Sequence, residues 1–340
     1  MATTLHLFIP GLLGTGFTDR AAPRPIAPAL EWLLARADRH PAPLTADATL
    51  FQLFGLPVSA DADLPVAAVT QWADGGKPGA DWWLRADPVH LRPDLRGVFL
   101  ADARTLAIEP VEAASLAAAF DQMFASDGLQ LHVPHPDRWY LRLLADPGIR
   151  THALFSAIGR DINPLLPYGP NARRWHALLT EAQMLFHNHP VNRVREDRHQ
   201  PMINSVWFWG GGLLPAGACS PTAGLYARDP LTCGLAWLAN ATICPVPKNV
   251  DDWWETAAEE ADSLVVLDLA RYDGADGDPL AWADHVAALE QDWFKPGRRL
   301  LQTGQLKALH LYGGNANWYS LTGAARWRFW RRTQPLSALP

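Results

Sequence analysis

The stretch that most constrains the fold is residues 262–270, which read DSLVVLDLA and contain a continuous apolar run at 264–267. Continuous apolar side chains on both faces are typical of a strand in a parallel sheet that helices cover on both sides. Runs at 5–9 and 306–312 predict two more strands, and helical periods at 27–37 and 280–294 predict helices between them. Strands that alternate with helices at both ends of the chain indicate an α/β core.

The middle of the chain has a different pattern. From about Thr70 the apolar runs become short and alternating, and Gly, Pro and Asp separate them, as in antiparallel strands. The predicted elements are strands at 82–86, 97–101, 128–133 and 139–144, with a helix at 111–124 between the two pairs. We therefore predict an inserted α+β cap domain at 71–164, and a discontinuous α/β core formed by residues 1–70 and 165–340.

Composition excludes several classes of protein. A hydrophobic fraction of 49% and a charged fraction of 19% in 340 residues allow a sizeable core and argue against disorder. A net charge of -6 argues against nucleic acid as the main partner. Three cysteines without a C-x-x-C spacing suit a reducing compartment. The first residues lack a basic leader, and no apolar run is long enough to span a bilayer. We expect a cytoplasmic protein with no membrane partner.

The segment from His189 to Gly212 reads HPVNRVREDRHQPMINSVWFWGGG. Its β-branched and aromatic run predicts a buried strand, and the three glycines after that run predict a close approach of the backbone. Asn192, Arg193 and Arg195 precede the strand, and the planar fork of an arginine matches a carboxylate or a phosphate. Two interpretations are open: the arginines bind an anion, or they are surface charges beside a structural core.

Several segments, in chain order, resemble the archaeal-type cofactor-independent phosphoglycerate mutases. Residues 189–212 are similar to the family pattern H-P-x-N-x-x-R followed by A-N-x-x-W-x-W-G-x-G. TADATLFQLFGL at 45–56 is similar to its Ser-Asp-x-Ala-x-Leu-x-Leu-Leu-Gly-Tyr. Further similarities, which extend the match to nearly the whole chain, are IPGLLG at 9–14, DWWLRAD at 81–87, VFLADAR at 98–104 and DSLVVLDLARYDGADGD at 262–278. Within the family, the chain resembles in particular a degenerate bacterial branch of RpfE-like regulatory proteins.

The resemblance implies an alkaline-phosphatase-like fold: a central, mostly parallel sheet flanked by helices, with a two-metal site at the carboxyl ends of the strands. The chain departs from the family at the positions of that site. Pro10 replaces a metal-binding Asp, and the nucleophilic Ser falls on Ala46. The remaining departures are Arg271 and Ala275 in the Asp-x-x-Gly-His pattern, and Gly314 and Asn315 at the late Asp-His pair. Two-metal phosphoryl transfer needs converging carboxylates and imidazoles and an activated nucleophile, so no metal ligand set is predicted.

The resemblance leaves a short set of candidate residues. Thr45 and Asp47 are the remaining candidates for catalysis. The candidates for ligand binding are Arg85, Asn192, Arg193, Arg195, Asn204 and Arg271, of which Arg271 would place a fixed positive charge where the family holds an ion. The alternative for each is structural: a salt bridge for Arg85, a buried hydrogen-bond anchor for Asn204 and a core position for Trp207.

Three functions are compatible with these residues. We expect a pseudoenzyme with a regulatory or ligand-binding role, whose partner is a small anionic metabolite or another protein. The first alternative is a metal-dependent phosphoglycerate mutase or phosphatase with a rearranged site, in which Asp47 and His189 hold Mn or Zn. The second alternative is an enzyme that reuses the cleft without metal or cofactor.

Overall fold

A computed structural model describes residues 3–13, 25–101, 106–257, 261–268 and 279–336. The described strands are β1 (Thr3–Phe8), β2 (Asp38–Pro41), β3 (Trp82–Asp94), β4 (Gly97–Ala101), β5 (Gln130–His135), β6 (Arg138–Leu143), β7 (Ser205–Gly212), β8 (Gly224–Tyr226), β9 (Ser263–Val266), β10 (Leu306–Asn315) and β11 (Asn317–Thr322). The described α-helices are α1 (Pro28–Arg36), α2 (Ala46–Leu53), α3 (Val66–Ala73), α4 (Pro110–Met123), α5 (Leu154–Ala157), α6 (Ala172–His187), α7 (Pro190–Asp197), α8 (Pro230–Leu238), α9 (Val250–Thr256), α10 (Pro279–Leu289) and α11 (Lys295–Thr303). Within these ranges, no helix combines the length and the apolarity that crossing a bilayer requires.

The chain divides into two compact units. Residues 1–57 and 217–340 form the core unit, and residues 58–216 form the inserted unit. The observed boundaries lie outside the predicted ones, 71 and 164. The physical reason is strand pairing: β7 pairs with β3 in an antiparallel register, so the segment that follows α7 belongs to the sheet of the inserted unit.

The core unit contains a mixed sheet of six strands in the order β2-β11-β10-β1-β9-β8. β10, β1, β9 and β8 are parallel, and β11 and β2 add an antiparallel edge. Leu5 and Leu7 of β1 are fully buried in a cluster with side chains of α1, α9 and α10. The predicted α/β class and the apolar strands at its centre are confirmed.

The inserted unit contains a sheet in the order β4-β3-β6-β5, with β7 on the other side of β3. All of its strand pairs are antiparallel. Phe120 of α4, Trp139 of β6 and Phe208 of β7 are buried in one core cluster between the sheet and its helices. The predicted order of strand, strand, helix, strand and strand is confirmed at β3, β4, α4, β5 and β6.

Two local features bear on the sequence predictions. The three glycines are the last residues of β7, and the predicted close approach is confirmed, since an ideal Cβ on Gly212 would lie 2.6 Å from Cβ of Pro65. The helix predicted to end at 294 does not end there. A π-helical turn at Glu290–Phe294 joins α10 to α11 and carries the chain on to Thr303. Such turns occur often at functional sites.

Candidate functional site

The carboxyl edge of the core sheet, formed by residues 10–13 and 313–315, is the place to which the resemblance assigns a metal site. The turn after β1 lies directly on β10, because the backbone N–H of Leu13 donates to the carbonyl of Gly313 at 2.9 Å. An ideal Cβ on Gly313 would lie 2.6 Å from Cγ of Leu13, and one on Gly314 would lie 3.0 Å from the backbone nitrogen of Gly11. Gly314 also has a φ of +83°, which disfavours any residue with a side chain. The carboxyl edge therefore has no room for side chains at these positions.

The residues of the carboxyl edge do not fit a pair of divalent ions. Pro10 and Gly314 have no side-chain donor, and the amide nitrogen of Asn315 donates to the hydroxyl of Tyr319 at 2.9 Å. Arg271 and Ala275, two further positions of the family pattern, lie outside the described residues. Among the residues that the structure describes, no group of three or more His, Cys, Asp or Glu side chains could hold a metal ion.

Thr45 and Asp47 occupy the start of α2. The hydroxyl oxygen of Thr45 accepts a hydrogen bond from the backbone N–H of Ala48 at 3.2 Å, which makes this threonine the N-cap of the helix. Asp47 is buried in the first helical turn, where the helix dipole favours a negative charge. Both residues therefore stabilise the helix end, and Ala46 between them offers no hydroxyl.

Arg85 lies in the interior of the inserted unit with 6% of its surface exposed. Its guanidinium donates to one carboxylate oxygen of the fully buried Asp87, at 2.7 Å from Nη2 and 3.0 Å from Nε. The other oxygen of Asp87 accepts from the indole N–H of Trp209 at 2.7 Å. Burial acts to lower the pKa of Arg85, but the carboxylate of Asp87 outweighs it and raises the pKa. Arg85 is thus a charged, paired residue of the core.

A second ion pair continues this arrangement. Asp74 accepts from Arg138 at 2.8 and 3.0 Å and from the hydroxyl of Tyr140 at 2.6 Å. The ring of Tyr140 and the guanidinium carbon of Arg85 are 5.1 Å apart, which is within cation–π range. Burial acts to raise the pKa of Asp74, but the hydrogen bonds from Arg138 and Tyr140 outweigh it and lower the pKa. We call these residues, with Asp87 and Trp209, the Arg85 network.

The segment with the family-like arginines forms the short helix α7, which the sequence analysis did not predict. His189 caps it, since Nδ1 accepts from the backbone N–H of Val191 at 3.3 Å. Asn192 is fully buried and donates to the carbonyls of Phe186 and Ile203 at 2.7 and 2.8 Å. These bonds tie the end of α6 to the start of the chain that leads into β7, so Asn192 has a structural role.

Arg195 and Arg193 have opposite environments, although they are two residues apart. Arg195 is fully buried, and its Nη1 donates to a carboxylate oxygen of Glu112 at 2.7 Å. It also donates to the carbonyls of Pro201 and Leu106. Arg193 is exposed, because it lies on the opposite face of α7. The two arginines therefore do not share one face of α7, and the prediction that they bind an anion stays a prediction.

The remaining candidates also have partners or fall outside the description. The side chain of Asn204 accepts from the backbone N–H of Leu91 at 2.7 Å and donates to its carbonyl at 2.8 Å. The indole of Trp207 donates to the carbonyl of His152 at 2.8 Å. Arg271 lies outside the described residues. The structure therefore places Arg85, Asn192, Arg195 and Asn204 at separate structural contacts rather than in one ligand pocket.

An imidazole cluster in the core unit is a feature that the sequence analysis missed. β1 and β10 each carry a Leu-His-Leu segment, and their parallel register sets His6 opposite His310, with ring centroids 4.5 Å apart. Trp318 of β11 contacts His310 and stacks on His40 of β2. Burial, with smaller effects of His6 and His40, lowers the pKa of His310 to about 4. The repeated Leu-His-Leu in two strands expected to be parallel neighbours is the signal that could have predicted this cluster.

Comparison with known proteins adds sequence and fold similarity. No protein-family model matches the chain. Over 155 residues it is 26% identical to a probable 2,3-bisphosphoglycerate-independent phosphoglycerate mutase of Geobacter sulfurreducens, and the match covers 44% of this chain and 38% of that protein. The match thus spans well under half the length of that relative.

Two solved structures are similar to the chain along nearly its whole length. A cofactor-independent phosphoglycerate mutase from Thermoplasma acidophilum has a TM-score of 0.45 at 16% identity, and the match covers 95% of this chain and 90% of that one. The PH0037 protein from Pyrococcus horikoshii has a TM-score of 0.53 at 12% identity, with 99% and 92% covered, which shows a shared fold. The chain therefore shares its fold with the PH0037 protein, and its sequence match is to a probable phosphoglycerate mutase, the family that the resemblance named.

Proposed function

We propose that this chain, with its phosphoglycerate mutase-like fold, is a pseudoenzyme that acts by binding a ligand or partner. The observation that carries the proposal is the packing of the carboxyl edge, where Leu13 and the backbone of Gly11 fill the space next to Gly313 and Gly314. A two-metal mechanism needs carboxylates or imidazoles that converge on both ions. A side chain introduced at Gly313 or Gly314 would displace the turn after β1, so this edge does not accept such ligands.

The start of α2 supports the same proposal. Covalent catalysis by a hydroxyl requires a nucleophile that a neighbouring base activates. Ala46 has no hydroxyl, and the oxygen of Thr45 accepts the N–H of Ala48 as a helix cap. A threonine in this position contributes to helix stability, and its replacement by alanine costs about 1 kcal/mol in comparable caps. Thr45 and Asp47, the candidates for catalysis, thus have structural roles at the start of α2.

The ligand in this proposal is a small anionic metabolite, with a protein partner as the alternative, and the role is regulatory, like that of the RpfE-like branch. The buried arginines of the inserted unit contribute little to such binding, since Arg85 and Arg195 already have carboxylate partners. An anion that displaced Asp87 or Glu112 would leave that carboxylate buried without a partner, which costs several kcal/mol. We therefore expect an anion to bind at cationic side chains that have no carboxylate partner.

An activity assay tests the proposal. The purified chain is incubated with 3-phosphoglycerate and Mn²⁺, and the formation of 2-phosphoglycerate is measured beside a metal-dependent phosphoglycerate mutase as the positive control. We expect no turnover above the rate without protein. Turnover that a chelator abolishes would contradict the proposal and favour the metal-dependent mutase. Turnover that a chelator leaves unchanged would favour the metal-free enzyme.

A further inference from the structure

A cleft of about 920 Å³ lies in the core unit between α1, α9, the π-helical turn and α11. None of the candidate residues from the sequence analysis lines it. Its volume falls within the range of roughly 300–1,000 Å³ that is usual for small-molecule sites. We name it the α11 cleft, because residues from the first to the eighth position of that helix form one of its walls.

The α11 wall is cationic. Lys295, Arg298 and Arg299 line the cleft, and their i, i+3 and i+4 spacing places them on one face of the helix. Arg298 is partly buried, whereas Lys295 and Arg299 are exposed. Three cations on one face of a helix form a surface that an anion can bridge.

Arg298 has a specific need for a counter-ion. Its guanidinium carbon lies 4.5 Å from the centroid of the Trp32 ring, and that of Arg36 lies 4.8 Å from the same ring. Burial, followed by the like charge of Arg36, lowers the pKa of Arg298, and the carboxylate of Glu290 acts in the opposite direction. Among the described residues, no carboxylate forms an ion pair with either guanidinium. Two like charges therefore flank one indole, and Glu290 offsets them only in part.

The acidic residue Glu290 also lines the cleft, and its carboxylate is bonded to the start of α1. The carboxylate of the buried Glu290 accepts from the backbone N–H groups of Ala29 at 2.7 Å and Leu30 at 3.0 Å. It thereby caps the start of α1, for which Ala27 offers no side-chain cap. The helix N-terminus stabilises this negative charge, so Glu290 is shared between the start of α1 and Arg298, on whose charge it also acts.

The cleft lining also includes an exposed aromatic side chain. Trp254 of α9 lines the cleft with 40% of its surface exposed, and an exposed indole face can stack on a planar ring. Asp251 and Asp292 also line the cleft; their carboxylates are hydrogen-bond acceptors for hydroxyl groups. The negative charges of these carboxylates disfavour binding of a polyanion. They favour a ligand that has one anionic group together with hydroxyl groups and a ring.

We propose that the α11 cleft binds a small organic monophosphate with a planar ring, of which a mononucleoside monophosphate is the simplest form. The phosphate contacts Arg298 with Lys295 and Arg299, and the ring stacks on Trp254. This inference rests on the proposed function, because it assigns the ligand-binding role to a particular site and a particular class of ligand.

Calorimetric titration of the full chain tests the assignment with adenosine 5′-monophosphate, adenosine and inorganic phosphate as separate probes. We expect saturable binding of the monophosphate. Adenosine and inorganic phosphate should each bind about tenfold more weakly or worse.

Arg298→Gln should weaken binding of the monophosphate about tenfold, as for loss of a charge-assisted hydrogen bond, and Arg298→Lys should restore part of that affinity. Trp254→Ala should weaken binding of the monophosphate but leave binding of inorganic phosphate unchanged. Arg173→Gln, at an exposed arginine of α6 in the inserted unit, is the matched control and should have no effect.

The inference is overturned if the monophosphate gives no binding up to about 1 mM, the weak limit of specific binding. It is equally overturned if Arg298→Gln and Trp254→Ala, shown to be folded by circular dichroism, bind as the unchanged chain does. These results are independent of the mutase assay. Absence of both turnover and cleft binding would overturn only the cleft assignment, whereas turnover with cleft binding would overturn only the pseudoenzyme proposal.

Discussion

Two regions of the molecule occupy positions that resemble functional motifs: the carboxyl edge of the core sheet and the Arg85 network of the inserted unit. They depart from a functional site for different reasons. The carboxyl edge keeps the strand geometry and lacks carboxylate and imidazole side chains, because Pro10, Gly314 and Asn315 stand at the ligand positions of the family pattern. The Arg85 network keeps charged side chains, and each of them has a partner inside the unit. The carboxyl edge lacks the side chains that catalysis would need, whereas the Arg85 network uses charged side chains to stabilise the fold.

The difference shows that a residue type at a motif position does not settle its role. Arg85 matches a substrate-binding position of the family in the sequence, yet Asp87 lies two residues away on the same strand and pairs with it. A buried guanidinium with a buried carboxylate is a stable structural pair only when both are present. The partner, rather than the arginine, indicates which role applies.

The largest expected effect concerns the Arg85 network. Asp87→Asn leaves the buried Arg85 without a counter-charge, and we expect a loss of about 3–5 kcal/mol in the free energy of unfolding. Asp81→Asn is the control: Asp81 pairs with Arg142 at 2.7 Å, and the side chains are 26% and 47% exposed. It should cost less than about 1 kcal/mol. Urea denaturation measures both, and equal losses would show that burial does not distinguish the two pairs.

A second expected effect separates the two arginines of α7. Arg195→Gln removes the charged partner of Glu112 and leaves two carbonyls short of a donor, so we expect a loss of about 3 kcal/mol. Arg193→Gln changes an exposed side chain, and the expected change is below about 0.5 kcal/mol. Thermal and urea unfolding of both variants check this contrast. A comparable loss for Arg193→Gln would mean that the exposed arginine also has a structural partner.

A smaller effect tests how tightly the carboxyl edge is packed. Gly314 and Gly217 both have a φ of +83°, but only Gly314 has neighbours within 4 Å of an ideal Cβ. Gly217→Ala should therefore cost only the backbone strain, about 1 kcal/mol. Gly314→Ala adds a contact with the backbone of Gly11 and should cost about 1 kcal/mol more. If the two alanine variants unfold at the same urea concentration, the carboxyl edge has room for a side chain.

The smallest expected effect is a pH dependence from the imidazole cluster. The folded pKa of His310 is about 4, below the unfolded value of about 6.5. The unfolded chain therefore binds this proton first, and the free energy of unfolding should fall as the pH decreases from about 6.5 to 4. His6, His40 and Asp262 act on the charge of His310, and the ring of Trp318 contacts it. His310→Gln should flatten that part of the profile, and an unchanged slope would contradict the assignment.

Much of the core unit could be predicted from the sequence, because its strands are apolar on both faces. β9 has apolar side chains on both faces and lies between β1 and β8, with the register and direction expected of a parallel sheet. Helix α2 begins directly after Thr45, which caps it, and threonine is a common residue at this position of a helix. Local pattern and fold agree at such elements.

The candidate site could not be predicted in the same way, because its outcome depends on contacts between distant residues. The partner of Arg195 is Glu112, 83 positions earlier in the chain, and no local pattern indicates such a pair. The same holds for the boundary of the inserted unit, which depends on β7 pairing with β3 rather than on composition. The α11 cleft depends on a π-helical turn, and the sequence analysis predicted only a helix that ends there.

The most direct test of the central claim is a calorimetric titration of the chelator-treated chain with Mn²⁺, together with metal analysis of the chain as purified. The packing of the carboxyl edge leads us to expect neither a bound metal nor a saturable heat. Binding of two ions per chain at micromolar affinity would contradict the claim. It would mean that residues other than Pro10, Gly314 and Asn315 supply the ligands, and it would favour the metal-dependent alternative that the mutase assay tests.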